Sequence, residues 1–322
     1  MKVGVLTVLY GDLPLEEALD RVAALGVSCV ELGTGNYVGN AHADPDELLS
    51  DPAALDRLRG ALDDRGLEIS ALSQHGNPLH PDPAIAAAHH DTWRRTLELA
   101  QRLEVGTVVG FSGCPGDGPG ASRPNWVTCP WPPDFLEILE WQWEERVIPY
   151  WREEAERASA AGVKIGFEMH PGMTVYNPET FFRLRDAVGD VVGCNFDPSH
   201  LFWQGIDVVE ALREIGRAGA LVHFHAKDTA IDAANVRRNG VLDTKHYSRV
   251  LERAWAFRTV GYGHGEELWR RLLSTLTALG YDGAVSIEHE DGLMSTDEGL
   301  AKAVRLLDQE ILKEKPAAAW WA

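Results

Sequence analysis

The stretch that decides the fold is Lys164–His170, which reads KIGFEMH, a short β-type run that ends in a carboxylate and an imidazole. Three later stretches repeat this design: Cys194–His200 (CNFDPSH), Val222–Asp228 (VHFHAKD) and Val285–Glu290 (VSIEHE). In each, a hydrophobic strand delivers acids or histidines at its carboxyl end. Closed α/β barrels carry their chemistry at that end of the strands. We therefore expect the four stretches to meet at one rim, with the remaining chain as scaffold.

Short hydrophobic strands alternate with helices of ten or more residues along the whole chain, which is typical of parallel βαβ units. Glycine follows several predicted helices and proline begins others. Eight strands are predicted: Lys2–Leu9, Val27–Leu32, Leu67–Ser73, Gly106–Phe111, Lys164–Met169, Val191–Phe196, Ala220–His225 and Ala284–Glu288. With eight helices, they favour a single domain, residues 1–322, folded as a closed (β/α)8 barrel. An open doubly wound sheet is disfavoured because no G-x-G-x-x-G fingerprint follows the first strand.

Two connections exceed ordinary loop length. Ser112–Phe135 is rich in Gly, Pro and Trp and precedes a helix predicted over Glu140–Ala161, and Thr229–Gly265 carries many charged residues. They follow the fourth and seventh strands, so we expect both to overhang the rim and shape access to it. The last residues, Pro316–Ala322, contain Trp320–Trp321 and are predicted to be a mobile tail or a docking segment.

The charge balance narrows the class of protein. The chain has 49 acidic and 30 basic residues, a formal net charge of −19, and such a surface repels nucleic-acid phosphate. No stretch approaches the roughly 20 apolar residues of a membrane span. The N-terminus does not resemble a secretory signal, so we expect a cytoplasmic protein with neither a nucleic-acid nor a membrane partner. The four scattered cysteines predict no structural zinc site.

The polar residues at the strand ends have the composition of a metal site. Successive stretches present Glu168, Asp197, one histidine of the pair His223 and His225, and Glu288. A single acid or histidine at a strand end is more often a cap or a salt-bridge partner, but four in register around one rim are not explained that way. Three carboxylates and an imidazole suit one divalent ion, with Mn²⁺ expected first and Mg²⁺, Co²⁺ or Zn²⁺ as alternatives. A cation would also relieve the repulsion between the carboxylates.

In these stretches and in Gly280–Asp291 (GYDGAVSIEHED), the chain resembles the xylose isomerase-like TIM-barrel superfamily, specifically its sugar isomerase/epimerase branch. The resemblance covers nearly the whole chain. It implies that one divalent ion is bound by four residues: Glu168, Asp197, His225 (with His223 as the alternative) and Glu288. It also implies that the ion binds adjacent hydroxyl and carbonyl groups of a sugar. The two glutamates would then remove and return a proton through a metal-stabilised enediolate.

Further residues are expected to contact the substrate. His200 stands in an Asp-x-x-His turn that resembles the substrate-contacting histidine of the family. Lys227 is predicted to hold a substrate oxygen, and its alternative is a salt bridge with Asp228. His75 and Asn77, which follow the third strand, and His223 complete the predicted substrate-binding set.

Some features depart from a plain epimerase. His170 lies two residues after Glu168, where a second base could reach the substrate, and the Trp-bearing loop favours a larger and flatter substrate than a free hexose. Lyases of this superfamily that act on 3-keto glycosides, including enzymes that cleave C-glycosides, use the same metal site with an additional histidine base. The catalytic residues are therefore predicted to be Glu168, Glu288 and His170. The lyase alternative starts with the same proton abstraction and continues with β-elimination of the aglycone.

Other classes fit the sequence less well. An AP-endonuclease-like nuclease shares the fold but needs extra histidine ligands, of which His75 is the one early candidate, and a basic face. A non-catalytic sugar-binding barrel would have no reason to keep all four ligands. Besides a small carbohydrate substrate, the expected partners are further copies of the chain or a small second subunit.

Overall fold

Eight parallel strands close into a barrel in the computed structural model, which describes residues 1–314, 319 and 321. Ten strands lie in this part of the chain: β1 (Lys2–Leu6), β2 (Cys29–Gly33), β3 (Glu68–Gln74), β4 (Thr107–Gly110), β5 (Lys164–Glu168), β6 (Val192–Phe196), β7 (Leu221–Ala226), β8 (Asp228–Ile231), β9 (Trp255–Arg258) and β10 (Ala284–Ile287). The barrel runs from β1 to β7 in chain order, and β10 closes it between β7 and β1. The predicted (β/α)8 fold class is confirmed.

Helices connect the strands and cover the barrel. Their bounds are α1 (Leu15–Ala24), α2 (Pro45–Ser50), α3 (Pro52–Asp63), α4 (Pro83–Leu103), α5 (Asp134–Trp141), α6 (Ile148–Ala160), α7 (Pro178–Val188), α8 (Ser199–Phe202), α9 (Val208–Arg217), α10 (Ala233–Asn239), α11 (Glu266–Ala278) and α12 (Thr296–Glu310). No helix in the described part of the chain is long and apolar enough to cross a membrane.

Local cap chemistry sets the helix ends that the sequence predicts best. The side chain of Asp82 accepts a hydrogen bond from the backbone of Ala84, and Pro83 occupies the first helical position of α4. At the start of α7, Asn177 and Thr180 form a reciprocal capping box. Both helices accordingly have the bounds that the sequence predicts.

The core between strands and helices also fixes the rim. Four tryptophans are fully buried there: Trp93, Trp143, Trp151 and Trp269. The Trp151 ring centroid lies 4.5 Å from that of Phe167 in β5, and its indole N–H donates to the carbonyl of Ser112 at 2.8 Å. One core side chain therefore links β5, which ends in Glu168, to the loop that leaves β4.

The helix before β5 begins earlier than predicted. Residues Asp134–Ala160 are helical throughout, as α5, a π-helical turn (Gln142–Val147) and α6, whereas the sequence predicts a start at Glu140. The preceding loop is rich in proline and glycine, which hides the start because Pro133 itself serves as the N-cap. The loop predicted over Ser112–Phe135 is otherwise as expected.

The connection Thr229–Gly265 is not irregular throughout, and in this respect the sequence prediction is wrong. It contains the antiparallel ribbon of β8 and β9, with Asp228 opposite Arg258, and the helix α10. Strands of four residues that pair only with each other show too little periodicity to be recognised. The predicted tail, residues 316–322 with Trp320–Trp321, lies outside the described residues except at positions 319 and 321.

Candidate metal centre and active site

The carboxyl ends of four adjacent strands bring the four predicted metal ligands together. Glu168 ends β5, Asp197 follows β6, His225 lies near the end of β7 and Glu288 follows β10. One ligand atom from each lies within 4.8 Å of those of the other three. The Glu288 side chain is 14% exposed, and the other three residues are buried. We call these four residues the rim cluster.

Several atoms of the rim cluster lack the hydrogen bonds that buried polar atoms normally make. Among the described residues, Asp197 Oδ2, His225 Nδ1 and Glu288 Oε2 are buried without a hydrogen-bond partner. Their close contacts are ionic, with His225 Nδ1 3.0 Å from Glu288 Oε2 and Lys227 Nζ 3.2 Å from Asp197 Oδ2. Because buried polar atoms are nearly always satisfied, these atoms are suited to a further partner. Carboxylate oxygens and an imidazole nitrogen fit a divalent cation.

The electrostatics of the cluster also fit a cation. Burial raises the pKa of Asp197 to about 6, where Lys227 opposes the rise and the charges of Glu168 and Glu288 add to it. Burial acts on Glu288 in the same direction, but Lys227 and His225 outweigh it and lower the pKa of Glu288 to about 2. Three carboxylates thus share one protein cation, Lys227, and a divalent ion would relieve their mutual repulsion.

Glu168 is held by several donors. His75 Nε2 lies 3.1 Å and Asn195 Nδ2 lies 3.2 Å from its Oε2, and His200 Nε2 lies 3.0 Å from its Oε1. Burial alone would raise the pKa of Glu168, but the imidazoles of His200, His225 and His75 outweigh burial and hold it well below its usual value. The structure therefore brings two predicted substrate-binding residues, His75 and His200, to the rim cluster as partners of Glu168.

A second polar group lies beneath the rim cluster, centred on Glu31 in β2. The carboxylate of Glu31 is fully buried and accepts hydrogen bonds from Ser73, from Ser286 Oγ at 2.6 Å, and from the Nε2 atoms of His223 and His225 at 2.9 and 3.0 Å. Imidazole charges outweigh the effect of burial and hold the pKa of Glu31 well below its usual value. We call Glu31, His223, Ser73 and Ser286 the inner layer.

The inner layer distinguishes the two histidines of β7. Because His225 donates through Nε2 to Glu31, its Nδ1 keeps the lone pair that faces the rim cluster. His223 Nε2 also donates to Glu31, so His223 belongs to the inner layer. Of the two candidates that the sequence offers, His225 is the one in the rim cluster.

Glu31 is a residue that the sequence analysis missed. It stands inside a strand that otherwise reads as apolar, CVELG, and not at the strand end where functional residues were sought. The available signal was the acid itself, since a glutamate in a fully buried strand requires partners for its charge.

Lys227 reaches the rim cluster from the end of β7. Its Nζ lies 2.9 Å from Glu288, 3.2 Å from Asp197 and 3.3 Å from Glu290. Burial opposes its charge, but these carboxylates outweigh burial and raise the pKa of Lys227 well above its usual value. The alternative partner, Asp228, instead accepts hydrogen bonds from other groups, including the Trp269 indole at 3.0 Å.

His170 is placed beside the rim cluster as a neutral base. Its ring centroid lies 4.2 Å from that of His200 and 4.5 Å from that of Phe111. Nδ1 lies 2.7 Å from the carbonyl oxygen of Pro171, which can only accept, so we assign the ring proton to Nδ1 and the lone pair to Nε2. Burial and the nearby His200 lower the pKa of His170 to about 3.

Asn77 has a different position from the other predicted substrate-binding residues. Its Nδ2 donates to the carbonyl of Cys114 at 2.9 Å, and its Oδ1 accepts from the backbone N–H groups of Cys114 and Leu79. The side chain thus joins the loops that follow β3 and β4. It shapes the rim through those loops.

Comparison with known proteins identifies the family. The family described as xylose isomerase-like TIM barrel matches residues 19–310. Protein YfiH of Bacillus subtilis is 41% identical over 314 residues, which cover 97% of this chain and 99% of YfiH.

Two solved structures share the fold across almost their whole length. A D-tagatose 3-epimerase-like protein is 20% identical with a TM-score of 0.63, covering 96% of this chain and 99% of that one. An IolI protein with a bound zinc atom is 18% identical with a TM-score of 0.65, covering 98% and 100%. By its match over residues 19–310 and its close relative, this chain belongs to the xylose isomerase-like TIM-barrel family.

Proposed function

We propose that the protein is a divalent-metal-dependent sugar isomerase or epimerase that moves a proton on a carbon next to a carbonyl group. The observation that carries this proposal is the rim cluster, in which three carboxylates and one imidazole converge with buried atoms that lack hydrogen bonds. The names of the structural neighbours, an epimerase-like protein and a zinc-bound protein, support it.

Glu168, Asp197, His225 and Glu288 are the residues that would hold the ion, with Mn²⁺ as the first candidate. Bound there, a divalent ion would polarise the substrate carbonyl and stabilise the negative charge that develops when the neighbouring carbon loses its proton.

Two glutamates of the chain are suited to the proton transfer. The carboxylates of Glu168 and Glu288 approach His225 Nδ1 from two different strands, at 3.2 and 3.0 Å. In this proposal, one glutamate accepts the proton from the substrate carbon and the other returns a proton. Return to the same carbon inverts it, and return to the neighbouring carbon gives an isomer.

Lys227 and His200 are suited to hold the substrate. The buried ammonium of Lys227 can donate to a sugar oxygen beside the cluster, and His200 can donate in the same region from its position against Glu168. Fixing these oxygens would align the reacting C–H bond with a glutamate, which is how positioning accelerates such reactions.

A second candidate function is a lyase that acts on 3-keto glycosides, and the observation that favours it is His170. A neutral imidazole with a free Nε2 beside His200 is a suitable base. In that reaction the base takes the proton from the carbon next to the ketone. The electron pair forms a C=C bond, and the bond to the aglycone breaks, so the aglycone leaves with the electrons and takes up a proton.

The remaining expectations belong to the same proposal: a cytoplasmic location, and either a homo-oligomer or a small second subunit. Copurification of another chain with the tagged protein would test the second subunit directly.

Deuterium exchange tests the function. The Mn²⁺-loaded protein would be incubated in D₂O with free ketohexoses, their phosphates and 3-keto glycosides, quenched with chelator, and analysed by proton NMR. We expect metal-dependent deuterium uptake beside a carbonyl in the wild type and in Glu267→Gln, an exposed control on α11. Glu168→Gln should abolish the uptake.

The other outcomes are equally informative. Release of an aglycone would establish the lyase in place of the epimerase. Uptake that persists undiminished in Glu168→Gln, or no uptake from any sugar, would contradict the proposal and favour a sugar-binding or partner-subunit role.

A further inference from the structure

Residues 229–265 form an excursion over the carboxyl rim that is tied down at Asp228. The buried carboxylate of Asp228 accepts six hydrogen bonds from both ends of the excursion. The donors are the backbone N–H groups of Thr229, Gly261, Gly263 and His264, the His264 imidazole and the Trp269 indole. Because Asp228 directly follows Lys227, this anchor sets the position of the excursion beside the rim cluster.

Phe257 brings an aromatic ring from the excursion to the rim cluster. It lies on β9, and its ring centroid is 4.8 Å from Lys227 Nζ. The same ring stands edge to face with His200, with 5.3 Å between the centroids. Phe257 is therefore a wall of the space in which a sugar held by Lys227 and His200 would lie.

Tyr247 extends this wall outward. Its ring centroid lies 5.7 Å from that of Phe257 with 21° between the ring planes, a separation typical of offset aromatic pairs. Tyr247 is nevertheless 55% exposed. Partial burial raises the pKa of its phenol, on which the charges of Arg253, Glu290 and Lys227 also act, so the hydroxyl lies near the mouth of the site.

The wall is supported from behind by a buried cation. The guanidinium carbon of Arg253 lies 4.4 Å from the Tyr247 centroid and 4.6 Å from that of Trp255. Arg253 is held in turn by hydrogen bonds to the carbonyls of Trp255 and Lys245. Trp203 stacks on Trp255 with the ring planes 5° apart. A half-exposed tyrosine is thus mounted on a fixed base, which suits it to present its ring to a ligand.

We propose that Tyr247 and Phe257 form an aromatic subsite that binds a planar aromatic ring attached to the sugar. The inference rests on the proposed function, because the sugar must occupy the rim cluster for its substituent to reach these rings. A bare hexose would be held by the polar groups of the cluster, whereas a stacked aromatic surface that continues outward from Lys227 matches an aryl glycoside. This names the substrate class of the site: sugars that carry an aromatic aglycone.

Binding measurements test the subsite without turnover. Kd values for 4-nitrophenyl β-D-glucopyranoside and methyl β-D-glucopyranoside would be measured by saturation-transfer NMR on the Mg²⁺-loaded protein, since Mg²⁺ is diamagnetic. We expect the wild type to prefer the aryl glucoside. In Tyr247→Ala the Kd of the aryl glucoside should rise about 2- to 10-fold, the range for one aromatic stacking pair, while that of the methyl glucoside stays constant.

A matched control is available on the same excursion. Tyr262 is 44% exposed and packs beside Arg258 and Lys302, so Tyr262→Ala should leave both Kd values unchanged. Phe257→Leu, which keeps an apolar side chain but removes the ring, should weaken the aryl glucoside selectively. Equal Kd values for the two glucosides in the wild type, absence of aryl glucoside binding, or equal effects of Tyr247→Ala on both would overturn the subsite.

Failure of the subsite and failure of the proposed function are distinguishable. Deuterium exchange on a free ketohexose that is unaffected in Tyr247→Ala, together with no aryl preference, would overturn the subsite and leave the function standing. Aryl preference that depends on Tyr247, without deuterium exchange on any sugar, would support the subsite and contradict the proposed chemistry.

Discussion

The rim cluster and the inner layer contain similar residues but differ in how completely their polar atoms are bonded. Each joins carboxylate to imidazole, and His225 contributes one ring nitrogen to each. In the inner layer both oxygens of Glu31 accept hydrogen bonds from serine and histidine side chains. In the rim cluster, Asp197, His225 and Glu288 each have a buried atom without a hydrogen bond among the described residues.

The difference separates a group that supports from a group that binds. A satisfied buried network makes the structure rigid, whereas unsatisfied atoms at the end of a barrel are available to a ligand. Geometry alone does not make this distinction, because the ligand atoms of Glu31, His223 and His225 also lie within 4.8 Å of one another. Hydrogen bonding does, and it favours the rim cluster as the metal centre.

The largest effect is expected for the two glutamates of the rim cluster. Glu168→Gln or Glu288→Gln keeps the shape of the side chain but removes the carboxylate base, so turnover should fall by about 10²- to 10⁴-fold. Initial rates with the substrate found by deuterium exchange, together with circular dichroism to verify folding, would measure this. Full activity in either variant would contradict the two-glutamate scheme.

An intermediate effect is expected for the inner layer. Glu31→Gln weakens the acceptor that orients His225, and loss of such a supporting partner typically lowers metal affinity by about 10- to 100-fold. Calorimetric titration with Mn²⁺ would measure the Kd. Glu31→Ala should in addition destabilise the fold by about 3–5 kcal/mol, because it leaves buried imidazoles unpaired, and denaturant unfolding would test this. Wild-type metal affinity in Glu31→Gln would remove the distinction between support and binding.

The smallest effect is expected for His170, if the isomerase or epimerase scheme holds. His170→Ala leaves both glutamates in place and should reduce turnover by less than about tenfold, short of the range for loss of a general base. Steady-state kinetics on the same substrate provide the measurement. Loss of nearly all activity would instead favour the lyase, in which His170 is the base.

The barrel was predictable because its signals are local and repeated. Glycine and proline mark helix ends, and cap residues such as Asp82 and Asn177 act within a few residues of their own position. The ribbon of β8 and β9 was missed because its strands pair across an excursion, so their partners are not visible in any short window.

The rim cluster was predictable for a similar reason, since parallel strands deliver their last residues to one edge. Glu168 and Asp197 could therefore be identified from position alone. The role of Glu31 depends on which depth of the barrel each side chain occupies and on partners from β3, β7 and β10. Asn77 shows the converse, because a polar residue near the rim is occupied by backbone groups that the sequence does not reveal.

Metal stoichiometry tests the central claim most directly. Mn²⁺ binding would be followed by electron paramagnetic resonance in the wild type, in Asp197→Ala and in Asp63→Ala, an exposed control on α3. The rim cluster predicts one Mn²⁺ per chain in the wild type and in the control, with binding lost or greatly weakened in Asp197→Ala. One Mn²⁺ bound by Asp197→Ala with unchanged affinity would show that the metal centre lies elsewhere.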